Sequence, residues 1–329
     1  MRRIITAFFF LSLIFLLIIA GAEARHSRVA KTLSHYIQAG IYERLNQLDK
    51  ATKEYKAALK ADYNSPHLHL RLAIALLKQN RLAQSADELK QAIRYYENQT
   101  DLSNQEASFI EAHTLLALVY SLQGKPDEAT AEYETALRGV LAIEPQNIRI
   151  HKSLAQVYLR KDKFPEAEKT YRFILNLAPS DYEAHFYLGT IYEQQGKRYE
   201  AIKEFKAALK FKPEYPDALN SLGYLYAEEG INLGEAEEMI KKALTYQPDN
   251  GAYIDSLGWV YFKQGKYDES IQMLEQAIQF LSDPVIYEHL GDAYLKQGNI
   301  IKARENWQKS LELDVEGNLQ AKEKLEKYN

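Results

Sequence analysis

Leu222-Gly223-Tyr224-Leu225-Tyr226, Leu257-Gly258-Trp259-Val260-Tyr261 and Leu290-Gly291-Asp292-Ala293-Tyr294 share one frame, a Leu-Gly pair with a tyrosine three residues after the glycine. Leu188-Gly189 and Tyr192 supply an upstream copy. Superposing the four sets repeat starts at Tyr182, Pro216, Gly251 and Pro284. The register carries backward to Thr32, Pro66, Ile110 and Ile148, where Ala39, Ala73, Ala117 and Ala155 take the place of the glycine. Eight units result, most of them 33 to 35 residues long. A period of that size marks structural units that stack on one another.

Within a unit the apolar residues fall at positions 4, 7, 8 and 11 and again at 20, 24 and 27, each set on one face of a 3.6-residue helix. Two amphipathic helices per unit follow. Near position 15, Asn46, Asn80, Gly124, Gly196, Gly230, Gly265 and Gly298 fit the left-handed residue that ends a first helix. Pro145, Pro179, Pro213 and Pro248 mark exits from second helices. Small residues at position 8 oppose Ala51, Ser85, Ala129, Ala167, Ala201, Ala236, Ser270 and Ala303 at position 20, so the two axes come to the short end of the usual ~8–10 Å. Bulky residues at position 24, among them Tyr55, Phe205, Ile240 and Trp307, are expected to fill the space toward the next unit.

These registers resemble the tetratricopeptide repeat family over about residues 32–317. The resemblance implies an all-α, right-handed α-solenoid of about eight tandem helical hairpins, with residues 318–329 as a charged C-terminal capping helix. Three places depart from the pattern: a polar stretch from Asn98 to Ser108, about one extra helical turn before Pro145, and one extra residue in Gly230-Ile231-Asn232-Leu233-Gly234. The resemblance also implies partner binding on the concave wall made by first helices. Its positions here include Arg149, Lys152 and Gln156 in unit four, Phe186 in unit five, Asn220 and Tyr224 in unit six, and Trp259 and Phe262 in unit seven. Aromatic anchors beside a small basic patch suit an extended or helical peptide. Packing between repeats is the other reading of Trp259 and Phe262. The lysine and asparagine clamp with which some relatives hold a C-terminal carboxylate is not reproduced.

The bulk properties agree with a folded protein: 46% of residues are hydrophobic, 26% are charged, and 9 prolines with 15 glycines are too few for a disordered chain. A formal net charge of −4 gives no general attraction to nucleic acid. The absence of cysteine excludes disulfides, thiol catalysis and thiolate metal sites. No nucleotide-binding loop, zinc-protease motif, serine-hydrolase elbow or cysteine-histidine finger is present, so no catalytic residue, cofactor or metal site is assigned. Acidic pairs such as Glu237-Glu238 read as the solvated face of a helix.

Arg2 and Arg3 precede an apolar run from Ile4 to Ala20, followed by Ala22-Glu23-Ala24. That is the layout of a secretory signal cleaved after Ala24, the alternative being an uncleaved anchor. Either reading puts the body outside the cytoplasm, in the periplasm or held at the inner membrane facing it. The run Leu219 to Glu312 is further similar to exported bacterial repeat proteins that serve as adaptors in outer-membrane, pilus or polysaccharide assembly. The expected function is therefore a non-catalytic scaffold for protein or peptide partners of the cell envelope. Alternatives are a regulator or tether of an envelope enzyme, and a pH- or metal-responsive protein.

That last alternative rests on histidine at position 4 of the first five units: His35, His69, His113, His151 and His185. Half-buried neutral imidazoles would disfavour protonation and carry lowered pKa values. Convergence on one metal ion is disfavoured, because equivalent side chains on stacked helices point in parallel.

Overall fold

The computed structural model describes residues 25–98, 106–314 and 319–328. Residues 1–24, expected to direct export, and most of the Asn98 to Ser108 stretch, with Gln99 and Thr100 of the sequon Asn98-Gln99-Thr100, lie outside the described residues. Among the described residues every regular element is a helix. α1 covers residues 25–44 and is followed by α2 (Leu48–Ala61), α3 (Pro66–Lys78), α4 (Leu82–Glu97), α5 (Glu106–Leu122), α6 (Pro126–Ile143) and α7 (Ile148–Arg160). Then come α8 (Phe164–Leu177), α9 (Tyr182–Gln194), α10 (Arg198–Phe211), α11 (Pro216–Glu229), α12 (Leu233–Tyr246), α13 (Gly251–Lys263), α14 (Tyr267–Phe280), α15 (Pro284–Gln297), α16 (Ile300–Leu313) and α17 (Leu319–Lys327). The chain divides into two compact units, with the boundary inside α7 after Val157. Each unit is a stack of helical hairpins, and among the described residues no helix is long and apolar enough to cross a membrane.

Local chemistry sets the helix ends. Asn46, Asn80, Gly124, Gly196, Gly230, Gly265 and Gly298 all take positive φ, and the next N–H reaches back to the last turn, as Lys197 does to the Tyr192 carbonyl at 2.8 Å. In unit four the left-handed residue is Asp162, with φ of 52°. The extra residue of unit six brings a second left-handed position, Asn232, with φ of 48°. Starts of first helices are capped by Ser65, Asp181 and Asn250 side chains or begin on Pro66, Pro216 and Pro284. α5 begins at Glu106, ahead of the start at Ile110 read from the pattern, and α6 has 18 residues where α8, α10 and α12 have 14.

The bulky position-24 side chains pack toward the next repeat, as expected, Tyr55 on Leu72 and Leu76 and Tyr171 on Tyr187 at 5.4 Å, and they also fill their own hairpin. A methyl group on Gly223 would lie 2.7 Å from Ile240 Cγ1, and one on Gly189 2.7 Å from the Phe205 ring. Glycine at position 8 thus makes the room that the large residue of the same hairpin fills. Phe205, Ile240 and Trp307 are completely buried there. In the first unit Tyr55, Leu72 and Leu76 form one core cluster, and Leu89, Tyr96, Leu116 and Val119 another. In the second, α17 closes the stack: Ala321 is buried, and Leu325 and Tyr328 pack on the cluster around Trp307.

Candidate partner-binding surface

First helices α9, α11, α13 and α15 form a wall in the second unit, α11 packing on α13 and α13 on α15. A pocket of about 240 Å³ opens on it, lined by Glu193, Asn220, Tyr224, Asp255, Asp283 and Val285 among others. Its polar character comes from acceptors. Glu193 is half-buried; burial raises its pKa, the Glu228 charge adds to the rise, and the Arg198 charge opposes it. Asn220 Oδ1 is buried without a hydrogen-bond partner. Arg198, whose charge opposes the rise at Glu193, is engaged with Glu229 at 2.9 Å. An acceptor-rich recess of this kind favours a donor-rich, positively charged group.

Beside the pocket lies a stack of rings. Trp259 is sandwiched between Phe262, 4.6 Å away at 4°, and His289, 4.0 Å away at 16°. Its Nε1–H donates to Glu228 at 2.5 Å, and Lys263 Nζ lies 5.0 Å over its ring. His289 Nδ1 meets Asp255 Oδ1 at 2.9 Å. Burial opposes the His289 charge, but Asp255, with Asp292 and Glu228 behind it, outweighs burial and raises its pKa.

The eight candidate residues separate into groups. Arg149, Lys152 and Gln156 lie on α7, in the first unit. Phe186 packs on Phe205 at 5.8 Å and Tyr215 at 5.1 Å, with part of its ring exposed. Asn220 and Tyr224 line the pocket, and Phe262 is half-buried. Trp259 is only 8% exposed, which fits packing between repeats, the second of its two readings: its ring meets Glu228 of α11 and His289 of α15. Glu193 stands at position 12 of unit five, one of the wall positions that the resemblance implies, whereas Asp283 and Val285 are pocket residues that position counting did not single out.

Two members of the histidine series, His69 and His185, differ from expectation in sign. His35, His69, His113 and His185 each place Nδ1 2.6 Å from a carboxylate nineteen residues on, Glu54, Glu88, Glu132 and Glu204 respectively. His151 has Thr170 at the equivalent sequence position, and its Nε2–H reaches the Pro145 carbonyl at 2.8 Å. For His69 and His185 burial opposes the charged form, yet the glutamate and a backbone carbonyl outweigh it, so both pKa values are raised, not lowered. Each of these imidazoles faces its own hairpin. Among the described residues no three potential ligands gather as a metal would need.

A family model described as tetratricopeptide repeat matches residues 36–101, 114–172 and 152–216; two further repeat models match 258–298, and 216–250 with 285–314. The chain belongs to the tetratricopeptide repeat family. Among solved structures this repeat protein is similar to a tetratricopeptide repeat protein from Parabacteroides merdae, at 21% identity and a TM-score of 0.57 over 80% of this chain and 98% of that one. It is also similar to a chain of the APC/C hetero-tetramer Cut9–Hcn1, at 16% identity and a TM-score of 0.55 over 89% of this chain and 75% of that one. At such identities the likeness is one of fold. No curated protein matches the chain.

Proposed function

We propose that this tetratricopeptide repeat protein is a non-catalytic scaffold, exported from the cytoplasm, that holds a protein partner of the cell envelope on the first-helix wall of its second unit. The observation that carries the reading is the pocket of about 240 Å³ among α9, α11, α13 and α15, with half-buried Glu193 and the unpaired Asn220 Oδ1 at its edge. Stacked repeats supply a rigid wall, and the acceptors select a partner segment bearing lysine or arginine beside an apolar residue for Tyr224 and Val285. The layout of Arg2, Arg3 and the Ile4 to Ala20 run supports export.

Photo-crosslinking from a probe amino acid at Tyr224, in the native cell, tests the site. A discrete protein adduct is expected, and Glu193→Lys should abolish it without changing the fold. Absence of any protein adduct, or an adduct that survives Glu193→Lys, would remove the pocket from the function. Protease protection of the body in intact cells, lost when the outer envelope is opened, tests the location.

A further inference from the structure

α1 buries Ala39 and packs Tyr36 and Tyr42 against α2 and α3, while its other face is bare. Val29, Leu33, Ile37 and Ile41, with Leu45 beyond the last turn, recur every four residues and are 52–60% exposed. Each step of four residues advances about 40° round a helix, so these five side chains form a continuous apolar row about 24 Å long that winds across one broad face. Isolated exposed aliphatics are ordinary, whereas an unbroken row of five on one helix is not.

Charge identifies what the row meets. Of the acidic and basic residues in α1, Arg25, Arg28, Lys31 and Arg44 are cationic and exposed, and the single acid is Glu43. Glu43 is already committed, accepting from Lys78 at 2.6 Å and from the Tyr55 hydroxyl at 3.0 Å. A cavity of about 640 Å³ on one flank of α1 is lined by Arg25, Arg28, Tyr36 and Tyr63, with Asp62 its only acidic residue. One of about 460 Å³ further along α1, sharing Tyr36 with the first, is lined by Arg44, Arg71 and Lys78 around Glu43. A second copy laid on the row would set these cations against their own kind, with no uncommitted carboxylate on α1 to receive them. An anionic lipid surface satisfies both features, taking the aliphatics into the headgroup–acyl boundary and the cations onto phosphates. In the sequence α1 begins five residues after the Ile4 to Ala20 apolar run, which the proposed export reading brings to a membrane.

We infer that α1 is a membrane-surface helix whose Val29–Leu45 row lies on an anionic bilayer, seating the first unit on the lipid. This surface belongs to the first unit and is independent of which partner the second unit holds.

The chain has no cysteine, so single-cysteine probes in the full-length protein are unambiguous. Ile37→Cys, labelled with a polarity-sensitive fluorophore, is reconstituted with vesicles of phosphatidylethanolamine and phosphatidylglycerol, or of phosphatidylcholine alone. Arg94→Cys on the exposed side of α4 serves as the control. The Ile37 probe should shift to the blue and be quenched by brominated acyl chains in the anionic vesicles, while the Arg94 probe stays in water. Combining Ile37→Cys with Arg25→Glu, Arg28→Glu and Lys31→Glu should return the probe to water, because three surface cations together are worth on the order of 100-fold in lipid affinity. All three residues are exposed, so the fold is retained. A probe that stays in water on anionic vesicles would overturn the inference. So would a dimer mass in light scattering that Ile37→Asp removes, which would assign the row to a second copy.

Discussion

His69 Nδ1 lies 2.6 Å from a carboxylate oxygen of Glu88, while its Nε2 lies 3.0 Å from the Tyr63 carbonyl. Both partners are acceptors, so each ring nitrogen must bring a proton, and a neutral imidazole has only one to offer. The clasp therefore holds an imidazolium, with Tyr95 stacked on it at 5.4 Å. His185 repeats the arrangement with Glu204 and the Pro179 carbonyl, at 2.6 and 3.0 Å.

This geometry makes the fold sensitive to base. A folded-state pKa raised above the ordinary 6.5 means that the native state keeps its proton after the unfolded chain has lost it. The stabilisation is therefore complete below about pH 6.5 and fades as pH rises through the raised folded value. Each clasp keeps 12–25% of its side-chain surface in contact with solvent, so its contribution is about 1 kcal/mol, below that of a fully buried charged hydrogen bond. Urea unfolding at a series of pH values should show the midpoint declining as pH rises above about 6.5, and the His69→Gln, His185→Gln double variant should flatten that decline. A midpoint that climbs over the same window would refute the assignment.

Gly223 is set by contact rather than by backbone conformation. A methyl group there would meet Ile240 Cγ1 at 2.7 Å and the Ala236 carbonyl at 3.1 Å, and the backbone oxygen cannot step aside. Gly223→Ala should cost about 1–3 kcal/mol through overpacking. Adding Ile240→Ala removes both Cγ1 and Cδ1 and so relieves the side-chain part of the clash, and the double variant should lose less than the two single costs combined. Simple additivity in thermal unfolding would show that the hairpin axes shift freely.

The repeat register was legible because it is a packing rule: glycine or alanine at position 8 and a large residue at position 24 recur with the period of one hairpin. Turns were legible from Gly and Asn, and Asp162 escaped because aspartate adopts left-handed backbone less conspicuously than either. The glutamate nineteen residues after four of the five histidines is a visible pattern too, but only a hairpin in hand shows that the interval crosses from one helix to its mate. Burial of Trp259 could not be read by position counting. Whether a wall residue faces the groove or the neighbouring first helix depends on the inter-helix distance, which His289 and Phe262 set together.

α17 is fastened by one amine. Lys324 Nζ lies 2.7 Å from both Glu288 and Asp292 and 6.0 Å over the Trp307 ring, on which Tyr328 also packs. Lys324→Ala leaves two largely buried carboxylates of α15 without that cation and should cost about 1–2 kcal/mol, less than a fully buried pair because the amine is 26% exposed. Hydrogen exchange should quicken in α15 to α17 and remain unchanged in the first unit. Uniform acceleration throughout the chain would mean that α17 is not a local cap.

Trp259 and Glu193 separate stability from recognition on the same wall. Trp259 is 8% exposed, stacked on Phe262 and His289 and bonded to Glu228, so truncation empties a packed site and leaves an acceptor unpaired. Trp259→Ala should therefore cost about 3–5 kcal/mol and weaken partner capture only by loosening the last hairpins. Glu193 is half-buried at the pocket edge, and burial has pushed its pKa up, so its charge is held at a disadvantage in the free protein. Glu193→Gln keeps the shape and removes that disadvantage, leaving stability unchanged or slightly improved. If a cationic side chain of the partner enters the pocket, the same change should weaken binding by about tenfold or more, as for a charge-assisted hydrogen bond lost at an interface. Binding of the crosslinked partner, measured beside thermal unfolding, decides the matter: Glu193→Gln must lower affinity at constant melting temperature, and Trp259→Ala must lower both. Undiminished binding by Glu193→Gln would move the contact surface away from this pocket.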